Sequence, residues 1–433
     1  MRASQNELLT RSGPGTTLGR LMRRYWQPAA LSRELDGERP LRPVNLLGER
    51  LVLFRDERGR LGLIDRHCAH RGADLAYGRL EDGGLRCPFH GWLFDCAGQC
   101  LEQPAEPPES AFHTRVRLTS YPVVEKNGIV FAWMGEGEPP ALPALDSLRA
   151  PDEYTFAFKG LIECNWLQAL EVGIDPAHAS YLHRFIEDED AGDSYGKQFR
   201  DATDGKEIKV THLLREFARP DIRAETTPWG VRLTALRRLG ETDVHVRVTN
   251  RVFPHAIVIP MSREMTITQW HVPVDDTSCY WYAIFTSYGR PVDKEKMFAQ
   301  RAALYDMPDF VPRINRHNDY GYDPTEQRTR TYTGMGDDIN VHDQWAVESQ
   351  GPIHDRTREH LGRSDIGIIQ YRRLLQKAID ALDNGAHLPL YGDGCDERGI
   401  AGPLSLDAVM DFDDWQEAWV TRADSLRAGA PWA

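Results

Sequence analysis

Two short motifs constrain this chain more than anything else in it: Cys68-Ala-His70 and, sixteen residues later, Cys87-Pro-Phe-His90-Gly91-Trp92. Each half offers one thiolate and one imidazole, and each fits a hairpin-like turn. Two thiolates can hold one iron of a [2Fe–2S] cluster while two imidazoles hold the other. Neutral imidazole in place of thiolate removes negative charge and raises the reduction potential. A structural zinc site with two cysteines and two histidines is the competing reading. Zinc fingers pair Cys with Cys and His with His, whereas each half here is mixed, and that favours the cluster.

A second constellation lies in Asp175-Pro-Ala-His178-Ala-Ser-Tyr-Leu-His183. Two imidazoles and a carboxylate suit ferrous iron and leave positions open for dioxygen. A regular helix would set residues five apart at about 140° to one another. If both histidines bind one metal, the helix must break there. Pro176 supplies a cause, with Asp175 able to cap a new helix starting at the proline. Two packed or surface histidines are the alternative for this motif taken alone.

The remaining chain reads as ordinary globular protein. Its 433 residues, 41% apolar and 27% charged, suffice for two or three domains. A short helical pattern runs from Thr17 to Tyr25 in an N-terminal arm of residues 1–40. Residues 41–145 carry short strands such as Arg50–Phe54, Leu61–Ile64 and Gly128–Trp133, broken by Gly and Pro, which indicates a small antiparallel β domain. Gly137-Glu-Pro139-Pro140 is the best joint, and residues 146–433 form the second domain. There, Val244, Val246 and Val248 alternate with His245, Arg247 and Thr249 on one predicted strand. Met265–Val272 and Cys279–Phe285 read as further strands. A helix runs from Ser364 to Asp383 with Gly385 after it, and the tail beyond Ala401 reads as peripheral helix and loop. Patterning gives this domain the class α+β.

No apolar run reaches the ~20 residues of a membrane helix, and the N-terminus has no apolar signal core. Seven scattered cysteines do not form a secreted disulfide scaffold, so a cytoplasmic location is expected. A net charge of −13 argues against nucleic-acid or anionic-membrane binding.

The first motif pair resembles a Rieske cluster motif, with Cys68, His70, Cys87 and His90 as ligands. The Asp175–His183 stretch resembles the catalytic motif of Rieske non-haem iron oxygenases, in the order and over the length that family has. The run Asp343-Gln-Trp-Ala-Val-Glu-Ser-Gln-Gly-Pro-Ile resembles the segment that supplies the third iron ligand in phthalate 4,5-dioxygenase-like members. The resemblance implies an all-β Rieske domain followed by a helix-grip (START-like) catalytic domain. It implies His178, His183 and Asp343 as ligands of a mononuclear Fe(II), with Asp338 the second choice for the carboxylate. Asp175 is implied to link a cluster histidine of one subunit to an iron-ligand histidine of the next. The Ala73 and Phe89 neighbourhoods lack the extra cysteines of respiratory Rieske proteins, as in oxygenases. No dinucleotide fingerprint is present, so a separate NAD(P)H-dependent flavin/iron–sulfur reductase is implied. A homotrimer or stacked hexamer is implied as well.

The expected activity is oxidation of an aromatic carboxylate, phthalate-like or phenoxybenzoate-like, with O2. O- or N-demethylation by monooxygenation is the alternative, and a cluster-only electron carrier is a third reading. A substrate carboxylate needs a cation, and Arg247 is the first candidate, with Arg237 and Arg251 behind it.

Overall fold

The computed structural model describes residues 1–188, 203–206, 208–261, 264–382, 388–390 and 402–433. The chain divides into two compact units, Ser12–Pro140 with Val272–Asp275, and Met1–Arg11 with Ala141–His271 and Asp276–Ala433.

The smaller unit is built from three small antiparallel sheets. One orders Gln27–Leu31, Ile129–Ala132 and Val123–Lys126; another orders Leu41–Leu46, Glu49–Arg55, Leu61–Asp65 and Ser120–Tyr121. The third runs Arg79–Glu81, Gly84–Arg86, Leu93–Phe94 and Cys100–Glu102. Strands of two to seven residues cannot bury much alone, so the second and third sheets share one core with Val52, Phe54, Ile64, Leu75, Leu85 and Phe94. Cys68 and Cys87 are buried against that core.

The larger unit is organised on an eight-stranded sheet. Its order is Thr155–Ile162, Cys279–Ser287, Met265–Pro273, Ala256–Pro260, Asp243–Val252, Gly230–Arg238 and Asp221–Thr227, and Leu406–Asp411 pairs with Asp243–Val252 off that path. The Ile366–Leu382 helix packs on the Asp221–Thr227 and Gly230–Arg238 strands. Gly367 makes the approach possible, because a β-carbon there would meet Leu233 at 2.6 Å and the Ile174 carbonyl at 3.1 Å.

Alternation on the Asp243–Val252 strand decides two surfaces at once. Val244, Val246 and Val248 join Leu406, Ala408, Trp415 and Trp419 in a core on one side of the sheet. His245, Arg247 and Thr249 on the other side face an internal cavity and not solvent. The expected peripheral tail is corrected by the same sheet. Residues 406–411 are one of its strands, and the peripheral helix is Trp415–Ala428. An Asp-rich hexapeptide reads as loop until its Asp407 finds buried partners. Ser364 lies inside a 3-10 turn, Arg363–Asp365, that precedes the Ile366–Leu382 helix, and Asp365 closes back on the Gly362 amide at 2.6 Å. Asp383, Gly385 and Cys395 lie outside the described residues.

Candidate cluster and iron sites

In the smaller unit, two turns of different sequence have the same backbone. The Cys68 amide donates to the Ala73 carbonyl at 2.9 Å, and the Gly72 amide donates to the Cys68 carbonyl at 2.8 Å. Around Cys87 the pattern repeats: its amide donates to the Trp92 carbonyl at 2.8 Å, and the Gly91 amide donates to Cys87 at 2.9 Å. Both turns close through a glycine in the left-handed region, Gly72 at φ 74° and Gly91 at φ 76°. The cysteine–glycine spacing of four in each half was therefore a readable signal.

These turns bring Cys68, His70, Cys87 and His90 together. The two imidazoles meet edge to face with centroids 4.4 Å apart, and His70 stacks on Trp92 at 4.5 Å. His70 Nδ1 and His90 Nδ1 are buried without a hydrogen-bond partner among the described residues. Burial pushes the Cys68 thiol up to about 11, with the neighbouring Cys87 adding to it. Two unpartnered imidazole nitrogens beside two buried sulfurs are the donor set a mixed-ligand [2Fe–2S] cluster requires. The six cysteines described are all free.

In the larger unit, the second motif lies where a helix breaks. Trp166–Ile174 is helical and ends at Asp175, and a four-residue helix, Ala179–Leu182, comes after the Pro176–Ala177 turn. His178 and His183 flank that short helix, and His183 has left helical geometry at φ −103°, ψ 23°. This departure brings two residues five apart to the same point. Asp175 holds the turn twice over. Its carboxylate accepts from the Ala177 amide at 2.8 Å, and its carbonyl accepts from His178 Nδ1. With the proton on Nδ1, His178 presents a bare Nε2.

Asp343 comes from the Ile339–Glu348 helix, which Asp338 caps by accepting from the Asn340 amide at 3.0 Å. Gln168 ties the two helices together, donating to the Val347 and Gly351 carbonyls at 2.9 and 2.7 Å. Asp343 Oδ1 thereby lies 3.2 Å from His183 Nε2 and 3.7 Å from His178 Nε2, and the two Nε2 atoms are 3.2 Å apart. Among the described residues these three form the one group of metal-binding character within 4.8 Å. Such separations suit donors sharing one first-row ion at bond lengths of about 2.1 Å. Burial presses His178 toward its neutral form and His183 adds to this, against the pull of Asp343 and Asp175. Burial opposes ionisation of Asp343, yet the two histidines hold it below the ordinary carboxylate range. Neutral imidazoles and an ionised carboxylate are the states that metal binding needs.

Several further polar side chains are buried around the site. His342 stacks on His183 at 5.7 Å and donates from Nε2 to the Gly336 carbonyl at 2.9 Å. Glu171 forms buried pairs with Arg356 at 2.9 Å and Arg372 at 2.6 Å. His271 faces the cavity with Ile267 and Gln269, and burial, aided by the Arg251 charge, brings its pKa down to about 3. Alternation along Met265–Pro273 could have placed it. The histidines and Asp343 line a largely apolar cavity of about 410 Å3, within the usual range for small-molecule sites. Arg247 also lines it, but its guanidinium already pairs with Asp407. Arg251 is wholly buried and donates to the Val252 and Pro254 carbonyls.

Comparison with known proteins finds two matching family models. A family model described as the Rieske [2Fe-2S] domain matches residues 25–122, and one described as LigXa C-terminal domain like matches residues 132–423. The phthalate 4,5-dioxygenase oxygenase subunit of Pseudomonas putida is 33% identical over 95% of this chain and 93% of its own. The chain belongs to the Rieske non-haem iron oxygenases. Another relative is the tert-butanol monooxygenase / tert-amyl alcohol desaturase oxygenase subunit of Aquincola tertiaricarbonis, 34% identical over 87% of this chain and 77% of its own. The 5,5'-dehydrodivanillate O-demethylase oxygenase subunit of Sphingobium sp. is 31% identical over 95% and 88%. This Rieske oxygenase is an oxidoreductase of mixed α+β fold with a [2Fe–2S] domain and a mononuclear iron domain. No described helix is long and apolar enough to cross a membrane.

Proposed function

We propose that this chain is the terminal oxygenase of a multicomponent system that oxidises an aromatic carboxylate with O2. The observation that carries this is the convergence of His178, His183 and Asp343 within 3.2–3.7 Å at the wall of a closed-in apolar cavity. Bound there, ferrous iron supplies reductive activation of dioxygen, and the cluster held by Cys68, His70, Cys87 and His90 supplies electrons. The chain's own part is positional. Asp175 fixes the tautomer of His178, Gln168 fixes the spacing between the ligand helices, and residues such as Ile162, Val172, Leu214 and Ile267 keep bulk water from the substrate.

Electrons come, on this reading, from a separate NAD(P)H-dependent reductase. The functional division on this reading is residues 41–145 for the cluster and 146–433 for the iron; of the arm, residues 1–40, Gln27–Leu31 forms a strand of the smaller unit. A cytoplasmic homotrimer, single or stacked, would let the free carboxylate oxygen of Asp175 reach a cluster histidine of the next subunit. The similarity to the O-demethylase subunit supports a second reading, monooxygenation with loss of a methyl group.

The test pairs iron-loaded protein with a phthalate-dioxygenase-type reductase and NADH, over a panel of aryl carboxylates and aryl ethers. A carboxylate product heavier by two oxygens and two hydrogens is expected. Formaldehyde release from an ether moves the assignment to the second reading. Two irons per chain in place of three would end both.

A further inference from the structure

One end of the cavity carries more positive charge than the protein neutralises. Arg237 and His245 face each other on the paired Gly230–Arg238 and Asp243–Val252 strands, and Arg247 lies two residues on. Asp407 enters opposite Arg247 from the Leu406–Asp411 strand. It accepts from His245 Nε2 at 3.0 Å and from Arg247 Nη1, and Arg247 Nη2 donates to the Pro260 carbonyl at 3.0 Å. Asp407 and Arg247 therefore satisfy each other.

Arg237 has no such partner. It is 2% exposed, and its described hydrogen bonds go to carbonyls and a hydroxyl, not to a carboxylate. Nε donates to the Phe217 carbonyl at 3.0 Å, while Nη2 makes only long contacts, 3.4 Å to the Pro176 carbonyl and 3.3 Å to Ser180 Oγ. Nη1 is buried with no hydrogen-bond partner among the described residues. Leaving a buried charged donor unmet is costly, so such a group is kept for something that arrives later. Burial, with the nearby Arg247 charge, already lowers its pKa to about 10, and Asp407 opposes this without contacting it.

We propose that Arg237, not Arg247, anchors the substrate, and that it takes a single carboxylate. This rests on the cavity receiving an organic acid, the proposed function. A guanidinium fork grips one carboxylate through two parallel bonds, and Nη1 with the loosely held Nη2 offers that edge. A second carboxylate would find the other guanidinium already paired. Because Nη2 also reaches Pro176 and Ser180, the anchored acid is tied to the turn that carries His178. Arg237 is thus a specificity-determining residue connected to the position of an iron ligand.

The test is calorimetric titration of the iron-loaded protein with 3-chlorobenzoate, its neutral isostere 3-chlorobenzamide, and phthalate. The acid should bind at least about tenfold more tightly than the amide, a difference of about 1.4 kcal/mol, and phthalate should bind more weakly than the monoacid. Arg237→Met should equalise acid and amide, and Arg247→Met should keep the acid preference. Should Arg237→Met not fold, Arg237→Lys keeps the charge and should lose about tenfold for the acid while leaving the amide unchanged. The proposal fails if the acid preference survives Arg237→Met or disappears in Arg247→Met. It also fails if the amide binds as well as the acid, if Arg237→Lys weakens both ligands equally, if phthalate binds best, or if no ligand binds. Intact acid binding without oxygen consumption would instead count against the oxygenase reading and leave the anchor standing.

Discussion

The cluster turns and the iron site solve the same problem, gathering donors at a point, by opposite means. Around Cys68 and Cys87 the backbone does the work locally: each cysteine amide and carbonyl is satisfied within five residues, and a left-handed glycine closes each turn. The iron site needs Asp343 delivered to His178 and His183 from a distant helix, through Gln168 and a broken helix at Pro176. Short loops cost little entropy to close and can be dictated by sequence neighbours; long ones depend on the packing of whole elements. The first site is a property of two turns, the second of a domain.

The largest test of that contrast removes one donor from each site. Asp343→Ala should abolish turnover and lower iron from about three to about two per chain, with the cluster's visible absorbance intact. Cys87→Ser should also abolish turnover but remove the cluster's colour and leave about one iron. Metal analysis beside visible spectra checks both, and simultaneous loss of all iron in either variant would show that the sites are not independent.

Next in size is Asp175→Asn. Its carbonyl still accepts from His178, so both metals should remain, while the altered side chain should cost about 10–100-fold in turnover. Wild-type rates would reduce Asp175 to a helix-end residue.

The iron domain should also be the more acid-sensitive in one identifiable group. Burial opposes ionisation of Glu359, yet Arg372 at 2.5 Å and His354 at 3.2 Å hold its pKa down to about 2. A lowered folded pKa gives stability that is present above the unfolded value, about 4.3, and is lost as pH falls through about 2. Glu359→Gln should cost up to about 3 kcal/mol at neutral pH and flatten the acid limb. Chemical unfolding of the variant across pH 2–7 would reveal this, with unchanged cluster absorbance as the control.

The smallest effect distinguishes the two cluster turns. Alanine at Gly72 meets nothing within 4 Å and should cost only the left-handed strain, about 1–2 kcal/mol. Alanine at Gly91 must also press on Pro104 at 3.0 Å and should cost more. Melting followed by cluster absorbance ranks them, and equal costs would deny the contact.

Legibility divides along the same line. The strands Glu49–Arg55, Leu61–Asp65 and Ile129–Ala132, the Cys-His motifs and the valine face of the Asp243–Val252 strand stand in the sequence, because turn chemistry and period-two alternation act between near neighbours, whereas Gln27–Leu31 lay in a stretch read as a helical arm and becomes a strand only by pairing with the distant Ile129–Ala132. The helix break at Pro176, just before His178, was legible too, since proline forbids a continuous helix. The strand at Leu406–Asp411 was not, because its Asp407 becomes reasonable only beside His245 and Arg247.

The sequence by itself determined the two metal motifs, their order and the family they belong to, since donor type and spacing are written residue by residue. Tertiary structure alone decided that Asp338 caps a helix while Asp343 joins the histidines, and that Arg247 is paired while Arg237 is not. Charges of the same type look alike in a sequence. Only the fold says which of them has already met its partner.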